Sequence, residues 1–318
     1  MRTQQPLRVT VLAGGPDGER DVSLASGRAV ASSLRDAGHD VRLEDALPTD
    51  LSALDVPCDV VFPAMHGAWG EGGPLQVELE KRGLAYVGSE PDAAAIAMDK
   101  VAAKKVWEAA GIPVPRGRLV GSIGPVEVDH DAVIKPIAGG SSLDVFVRHA
   151  PAGGVADVAQ PIAYLLAKYG RCMVEELVVG HEMTVGVLLG EALPPIWIDT
   201  GTTANGWFDY NAKYRPDGAA HRFELPPGVS QATVRAMTEA CVEAGEAIGC
   251  RDLYRADVIV RADGTFALLE INTMPGCTGR SLLPDAAREA GIEFAAMCDR
   301  LVQAAAARRD KRSAERAA

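Results

Sequence analysis

Long apolar runs are missing from these 318 residues. The first hydrophobic stretch, Val9-Thr10-Val11-Leu12-Ala13, is too short for a signal-peptide core or a membrane span and reads as a strand. Basic blocks are missing too, apart from the charged, Ala-rich tail from Arg308 to Ala318, which reads as a fraying helix end. Lys and Arg number 32 against 43 Asp and Glu, a net charge of −11. A sequence-independent grip on nucleic acid needs clustered cations to neutralise phosphates, so no nucleic-acid partner is expected. A nucleotide is not excluded, because a few well-placed cations suffice for one. The six cysteines, Cys58, Cys172, Cys241, Cys250, Cys277 and Cys298, include no Cys-x-x-Cys pair. They read as reduced structural thiols of a cytoplasmic protein with no membrane attachment. Internal repeats and low-complexity segments are absent, and no Gly-Lys-Ser/Thr opens a helix, which excludes a Walker A loop.

What is present is alternation of strand and helix. Val9–Leu12, a Gly14-Gly15 turn and a helix over Val22–Ala37, capped by Asp21 or Ser23, open the chain. Strands Val41–Glu44, Asp59–Pro63 and Ala85–Gly88 follow, with a helix at Leu75–Arg82 among them. That order predicts a parallel α/β layer over residues 1–97. A helix over Met98–Ala110, strands Ala132–Lys135 and Cys172–Leu177, and a helix over Val155–Lys168 predict a small α+β domain over 98–180. Residues 181–318 hold strands Met183–Leu189 and Leu193–Ile198, a helix over Val229–Ile248, a hairpin, a Gly/Pro loop and a last helix from Gly291.

Three clusters carry chemistry. Asp263-Gly264 between two apolar runs signals a two-residue hairpin turn. Opposite positions then sum to 527, which sets Asp257 across from Glu270 and Arg255 across from Asn272. Side chains share a face every second residue, so three oxygen donors and a guanidinium meet at one end of the ribbon. Hard oxygen donors suit Mg²⁺ on ATP phosphates; the plainer alternative is an Asp–Arg salt bridge on a surface hairpin. The apolar flanks Val258, Ile259, Val260, Leu268, Leu269 and Ile271 favour burial, where stray carboxylates are costly. Second, Lys135 ends an apolar strand and precedes Pro136 and a loop with Gly139, Gly140, Ser141 and Ser142. Glycines let backbone N–H groups approach phosphate oxygens, and hydroxyls add donors. Third, Glu175 and Glu176 end a strand, with Glu182 beyond. Alone they read first as a solvated strand end, and alternatively as contacts to an adenine amino group and ribose hydroxyls.

Taken together the segments resemble the D-alanine–D-alanine ligases of the ATP-grasp superfamily. The motifs are Gly14-Gly15…Glu19-Arg20-Asp21-Val22-Ser23-Leu24, His66-Gly67…Gly70-Glu71…Leu75-Gln76 and Met98-Asp99-Lys100. Lys135-Pro136…Gly140-Ser141-Ser142, Glu182-Met183-Thr184-Val185 and Asp209-Tyr210-Asn211-Ala212-Lys213-Tyr214 continue the series. It ends with Arg255…Asp257, Leu269-Glu270-Ile271-Asn272-Thr273…Pro275-Gly276 and Ser281-Leu282. The resemblance implies a three-domain ATP-grasp architecture, mixed α/β and α+β, with an N-terminal parallel α/β domain. It implies ATP and D-alanine as substrates and a homodimer. ATP would be held by Lys100, Lys135, Ser142, Glu175, Glu176, Val178, Glu182, Phe208 and Lys213. Asp257, Glu270 and Asn272 would hold two Mg²⁺, with Mn²⁺ as a substitute. Glu19 would take the ammonium of the first D-alanine and His66 would contact substrate; Ser281 and Leu282 would receive the carboxylate of the second D-alanine. Arg255 and the Gly276 N–H would form an oxyanion site, and Glu19, Ser141 and Tyr214 a hydrogen-bonded triad under a lid carrying Trp207 and Phe208. Three positions depart from the pattern. Gly139 stands for a usual Glu, Leu143-Asp144 for a small residue and glycine, and Gly72 for a usual Asp. Asp144 would bring negative charge near phosphates.

Overall fold

The structure is a computed structural model and describes residues 5–124, 126–140, 143–152, 154–199 and 220–317. Strands β1 (Arg8–Gly14), β2 (Asp40–Ala46) and β3 (Val60–Pro63) form a parallel sheet in the order β2-β1-β3. Helix α1 (Arg20–Asp36) buries Val30, Ala31 and Leu34 on one face of it. On the other face α3 (Pro74–Lys81) buries Leu75 and Leu79. The expected strand at Ala85–Gly88 is reduced to one bridge, Val61 with Tyr86, because Gly88 turns away at φ +107°. Glu19, and neither Asp21 nor Ser23, occupies the cap position of α1, and no side chain caps that helix.

A short helix α2 (Ala68–Glu71) precedes α3, and α4 (Pro91–Met98) leads to α5 (Lys100–Ala109). The single helix expected over Met98–Ala110 is therefore two. Asp99 has extended backbone, and its carboxylate accepts from the Val101 and Ala102 N–H groups at 3.0 Å, capping α5. Such a cap is worth about 1 kcal/mol. It also starts a new helical phase, which places Lys100 and Lys104 on one face.

Strands β4 (Gly117–Val120), β5 (Ala132–Pro136), β6 (Phe146–Arg148) and β7 (Cys172–Glu176) form an antiparallel sheet ordered β4-β7-β5-β6. Helix α6 (Ala159–Tyr169) closes its core through Ile162 and Leu165. The larger antiparallel sheet runs β11-β10-β8-β12-β13, from β8 (His181–Leu188), β10 (Ile196–Asp199), β11 (Ala220–Arg222), β12 (Leu253–Val260) and β13 (Phe266–Asn272); β9 (Glu191–Ala192) pairs with β8. Helix α7 (Gln231–Ile248) covers it, and Trp107 of α5 is buried in the same core. Helix α8 (Leu282–Glu289), not anticipated from the sequence, carries Pro284 in its first turn, where a missing N–H costs nothing. The last helix, α9 (Phe294–Ala317), packs back against α1 and β3, so both ends of the chain share one core.

The β12–β13 hairpin reaches the expected pairing by another route. Val260 pairs with Phe266 and Val258 with Leu268, and the Gly264 N–H donates to Arg261 O. The turn is thus a three-residue loop with Gly264 left-handed at φ +83°, one residue longer than expected. A bulge between Asp257 and Val258 then adds Leu269 as an extra residue on β13. The two offsets cancel: Asp257 faces Glu270 and Arg255 faces Asn272.

Candidate active site

The two antiparallel sheets enclose an open cleft of about 790 Å³, within the range of small-ligand sites. Its walls include Lys100, Lys135, Gly139, Gly140 and Glu175 on one side, and Glu182, Asp257, Leu269 and Glu270, from the larger sheet, on the other. The bulge explains how Leu269 and Glu270, adjacent in sequence, both line it.

Buried charge organises the Lys135 end of the cleft. Glu175 lies between Lys104 and Lys135 and pairs with both, all three being buried. Burial alone would raise the Glu175 carboxyl, but the two lysines hold it below the ordinary carboxylate range. Burial pulls the Lys104 ammonium down to about 8 in spite of Glu175. Two ammonium groups against one carboxylate leave an excess of positive charge in a dry place, a setting that favours an anionic ligand. Glu175, expected on an adenine, is thus first the anchor of two lysines. Lys104 was missed; its signal was the four-residue spacing from Lys100. Lys100 donates to Gly139 O at 2.8 Å and lies 3.1 Å from Glu270. Glu176 pairs with Arg116 and Arg261, and Val178 lines the cleft.

At the hairpin end, Arg255 grips Asp257 through two parallel bonds of 2.9 and 2.8 Å. Thr184 Oγ1, also missed from sequence, donates to Asp257 at 2.7 Å, and Asn272 Nδ2 donates at 3.3 Å. The guanidinium and the carboxylate are therefore fixed before any ligand arrives. Among the described residues no three His, Cys, Asp or Glu side chains gather as a metal site. The oxygen set here is two carboxylates and one amide.

The loop that follows β13 is clamped to the parallel-sheet part of the chain. His66 Nδ1 lies 3.0 Å from Met274 O and must donate there, since a carbonyl only accepts. Nε2 is then the acceptor, 3.0 Å from Ser26 Oγ, and burial keeps the ring neutral by lowering its pKa. Ser26 Oγ in turn accepts from the Cys277 N–H at 3.3 Å. His66, expected on substrate, is thus committed to holding the loop, and the cleft wall begins at Gly67. Glu71 completes the clamp, accepting from Gly67 N at 3.1 Å and Met274 N at 3.3 Å. The held loop presents Gly276 against Ser281, so tightly that a Cβ on Gly276 would come within 2.9 Å of Ser281 Oγ. Ser281 stands at the cap position of α8, directly before Leu282, with Oγ 2.9 Å from Thr278 Oγ1. Glu19 lines the cleft next to Gly140. Ser141, Ser142, Trp207, Phe208, Lys213 and Tyr214 lie outside the described residues.

Comparison with known proteins points to one family. A family model described as D-ala D-ala ligase C-terminus matches residues 126–303. A D-alanine–D-alanine ligase of Acidiphilium cryptum is 41% identical over 95% of this chain and 99% of its own length. Its counterpart from Gloeobacter violaceus is 37% identical over 93% and 98%. The crystal structure of D-alanine–D-alanine ligase from Bacillus anthracis covers 96% of this chain and 99% of its own, with a TM-score of 0.80 at 26% identity. The enzyme from Coxiella burnetii shares the fold, with a TM-score of 0.80 at 21% identity over 96% of this chain and 97% of its own. With a family model over more than half its length and full-length relatives near 40% identity, the chain belongs to the D-alanine–D-alanine ligase family.

Proposed function

We propose that the chain joins two D-alanine molecules into D-alanyl-D-alanine with ATP, through D-alanyl phosphate, as a step in making peptidoglycan precursors. The observation that carries this reading is the meeting of Arg255, Asp257, Glu270 and Asn272 at one end of the hairpin whose Asp257 and Glu270 line the cleft, as does Lys135 of the buried lysine pair. A carboxylate is a poor acyl donor, so the first D-alanine attacks the γ-phosphorus of ATP and ADP departs. Lys135, with Lys213, offsets charge on the transferring phosphoryl group. The second D-alanine, as free amine, attacks the acyl carbon. The tetrahedral oxyanion meets Arg255 and the Gly276 N–H, then collapses as phosphate leaves.

The donor set fits Mg²⁺. Asp257 and Glu270 give carboxylate oxygens, and Asn272, whose Nδ2 is turned to Asp257, offers its amide oxygen. Too few for a closed cage, these three suit a cation shared with phosphates, where Mg²⁺ offsets charge on the transferring group. Mn²⁺ has the same preferences. Glu19 is suited to the ammonium of the first D-alanine. Ser281 and the first turn of α8 suit the carboxylate of the second, since helix N-termini favour anions. Glu182, Glu176, Val178 and Phe208 complete the nucleotide site in this reading, with Ser142 on the phosphates. Tyr214 and Ser141 join Glu19 in closing the lid. A homodimer in the cytoplasm is part of the proposal; among the described residues no helix is long and apolar enough to cross a membrane.

The test is product mass after incubation with ATP, Mg²⁺ and D-alanine, alongside D-lactate and D-serine as second substrates. Dipeptide with stoichiometric ADP and phosphate is expected. ATP turnover indifferent to D-alanine, with no dipeptide formed, would reject the reading. Dominant ester or mixed product would redirect it to another acyl acceptor.

A further inference from the structure

Asp144 occupies a conformation that aspartate adopts reluctantly. Its φ is +56°, in the left-handed region, at a place where the resembled pattern has glycine. A non-glycine residue is strained there, less so Asp and Asn than others. Something must offset that strain, and the side chain shows what. One carboxylate oxygen accepts from Tyr164 Oη at 3.1 Å; the other accepts from Lys168 Nζ at 2.7 Å and from Tyr169 Oη. Lys168 in turn stands over both tyrosine rings, 5.7 and 5.2 Å from their centroids. The Tyr164 ring packs edge-on against Phe146, with 5.7 Å between centroids. Hydrogen bonds from Lys168 and Tyr169 hold the Asp144 carboxyl below its ordinary range.

All three partners belong to α6, and Asp144 sits on the limb that returns from Gly139-Gly140 into β6. Leu143 and Val145, on either side of it, line the cleft, and so does Tyr169. Asp144 itself is not part of the cleft lining, and its charge is paired on the helix behind. We propose that Asp144 is a positioning residue, a latch that pins the return limb of the glycine-rich segment to α6 and so presets the cleft wall for a polyphosphate. This rests on reading the cleft as an ATP site. A preset wall spares the ligand the entropy of ordering that limb, so the latch acts on affinity for the phosphate-bearing ligand. Lys168 is the second half of the device and half-exposed, so replacing it does not threaten the fold.

The experiment is calorimetric titration of the full chain with ATP and, separately, adenosine. The variants are Asp144→Gly, Lys168→Met, the double variant and Asp144→Asn. Glycine keeps the backbone conformation and deletes the carboxylate. We expect Asp144→Gly and Lys168→Met each to weaken ATP about five- to tenfold while adenosine changes less than twofold. The double variant should lose no more than the worse single one, because both remove one interaction. Asp144→Asn, which keeps one acceptor oxygen and tolerates positive φ, should fall between wild type and glycine. ATP affinity within twofold of wild type in both single variants overturns the latch. So does equal weakening of ATP and adenosine, which signals general damage, or multiplied losses in the double variant. Failure of the unaltered chain to bind ATP overturns the nucleotide reading and the latch with it. Normal binding by the unaltered chain, matched by Asp144→Gly, overturns the latch alone.

Discussion

Glu71 is a carboxyl with no room for a charge. It is buried, and both oxygens take backbone N–H groups, yet burial and the nearby Glu19 push its pKa up to about 8. The sign of the consequence follows from proton counting. An unfolded Glu titrates near 4.5. Between about 4.5 and 8 the folded chain therefore holds more protons than the unfolded one, and stability falls as pH rises across that window. Above about 8 the loss is complete. The slope contributed is at most about 1.4 kcal/mol per pH unit. Glu71→Gln removes the titration, so its melting temperature relative to wild type should improve from pH 5.5 to about 8 and level off beyond it. A constant offset across that range would mean Glu71 is ionised throughout. Arg255 makes a different residue-scale prediction. Its guanidinium is already fixed on Asp257, so in the proposed mechanism it meets the oxyanion preorganised. Losing one such donor costs about 2.7–4 kcal/mol, on the order of 10²–10³ in kcat. Arg255→Ala should show that loss with a near-native circular dichroism spectrum; a drop below tenfold in a folded variant removes Arg255 from the role.

Elements decide which of these residues meet. Helix α7 approaches β12 through Gly245, where a Cβ would come within 2.2 Å of the Tyr254 ring. Glycine to alanine within a helix ordinarily gains about 0.5–1 kcal/mol. Here overpacking costs about 1–3 kcal/mol, because Tyr254 is buried, with its hydroxyl bonded to Val242 O, and has nowhere to retreat. Gly245→Ala should therefore lower the melting temperature; a rise would show that the helix can slide. The same hairpin measures what sequence can tell. Asp257, Glu270, Arg255 and Asn272 were placed together correctly, because strand periodicity and an Asp-Gly turn are local signals. The route was wrong in its details, since turn length and the Leu269 bulge depend on packing against β8 and α7, which no local pattern encodes. Asp99 hid in plain view as a helix residue, although an Asp before Lys-Val-Ala-Ala is a cap signal. Lys168 read only as a helix end, because its partner Asp144 meets it through the fold of the loop. The sheet order, with β8 between β10 and β12, depends on long-range pairing and was not legible.

At the scale of the whole molecule, one buried carboxylate joins three parts of the chain. Asp252 leads into β12 at φ +67° and its side chain is 2% exposed. It accepts from Gly88 N, on the parallel-sheet domain, at 2.8 Å, and from both terminal nitrogens of Arg308 on α9 at 2.6 Å each. Its own carbonyl accepts from Leu189 N at 2.6 Å, at the end of β8. Arg308 also donates to Tyr86 O at 3.2 Å, and Arg309 to Asp59 O at 3.0 Å. The last helix is thus a strap across the seam where His66 and Glu71 hold the loop of Gly276. Removing one partner of a buried ion pair typically costs about 3–5 kcal/mol. Arg308 is 32% exposed, so water can reach the gap; roughly 2–3 kcal/mol is the better expectation. Arg308→Ala should then melt about 3–5 °C below wild type. The cause is the stranded charge rather than lost packing, and that distinction is testable. Asp252→Asn keeps a side chain at home in the left-handed region and abolishes the charge, so adding it to Arg308→Ala should recover part of the loss. A double variant that melts lower than Arg308→Ala alone would mean that Asp252 contributes through other contacts, and that the strap is held by the apolar face of α9.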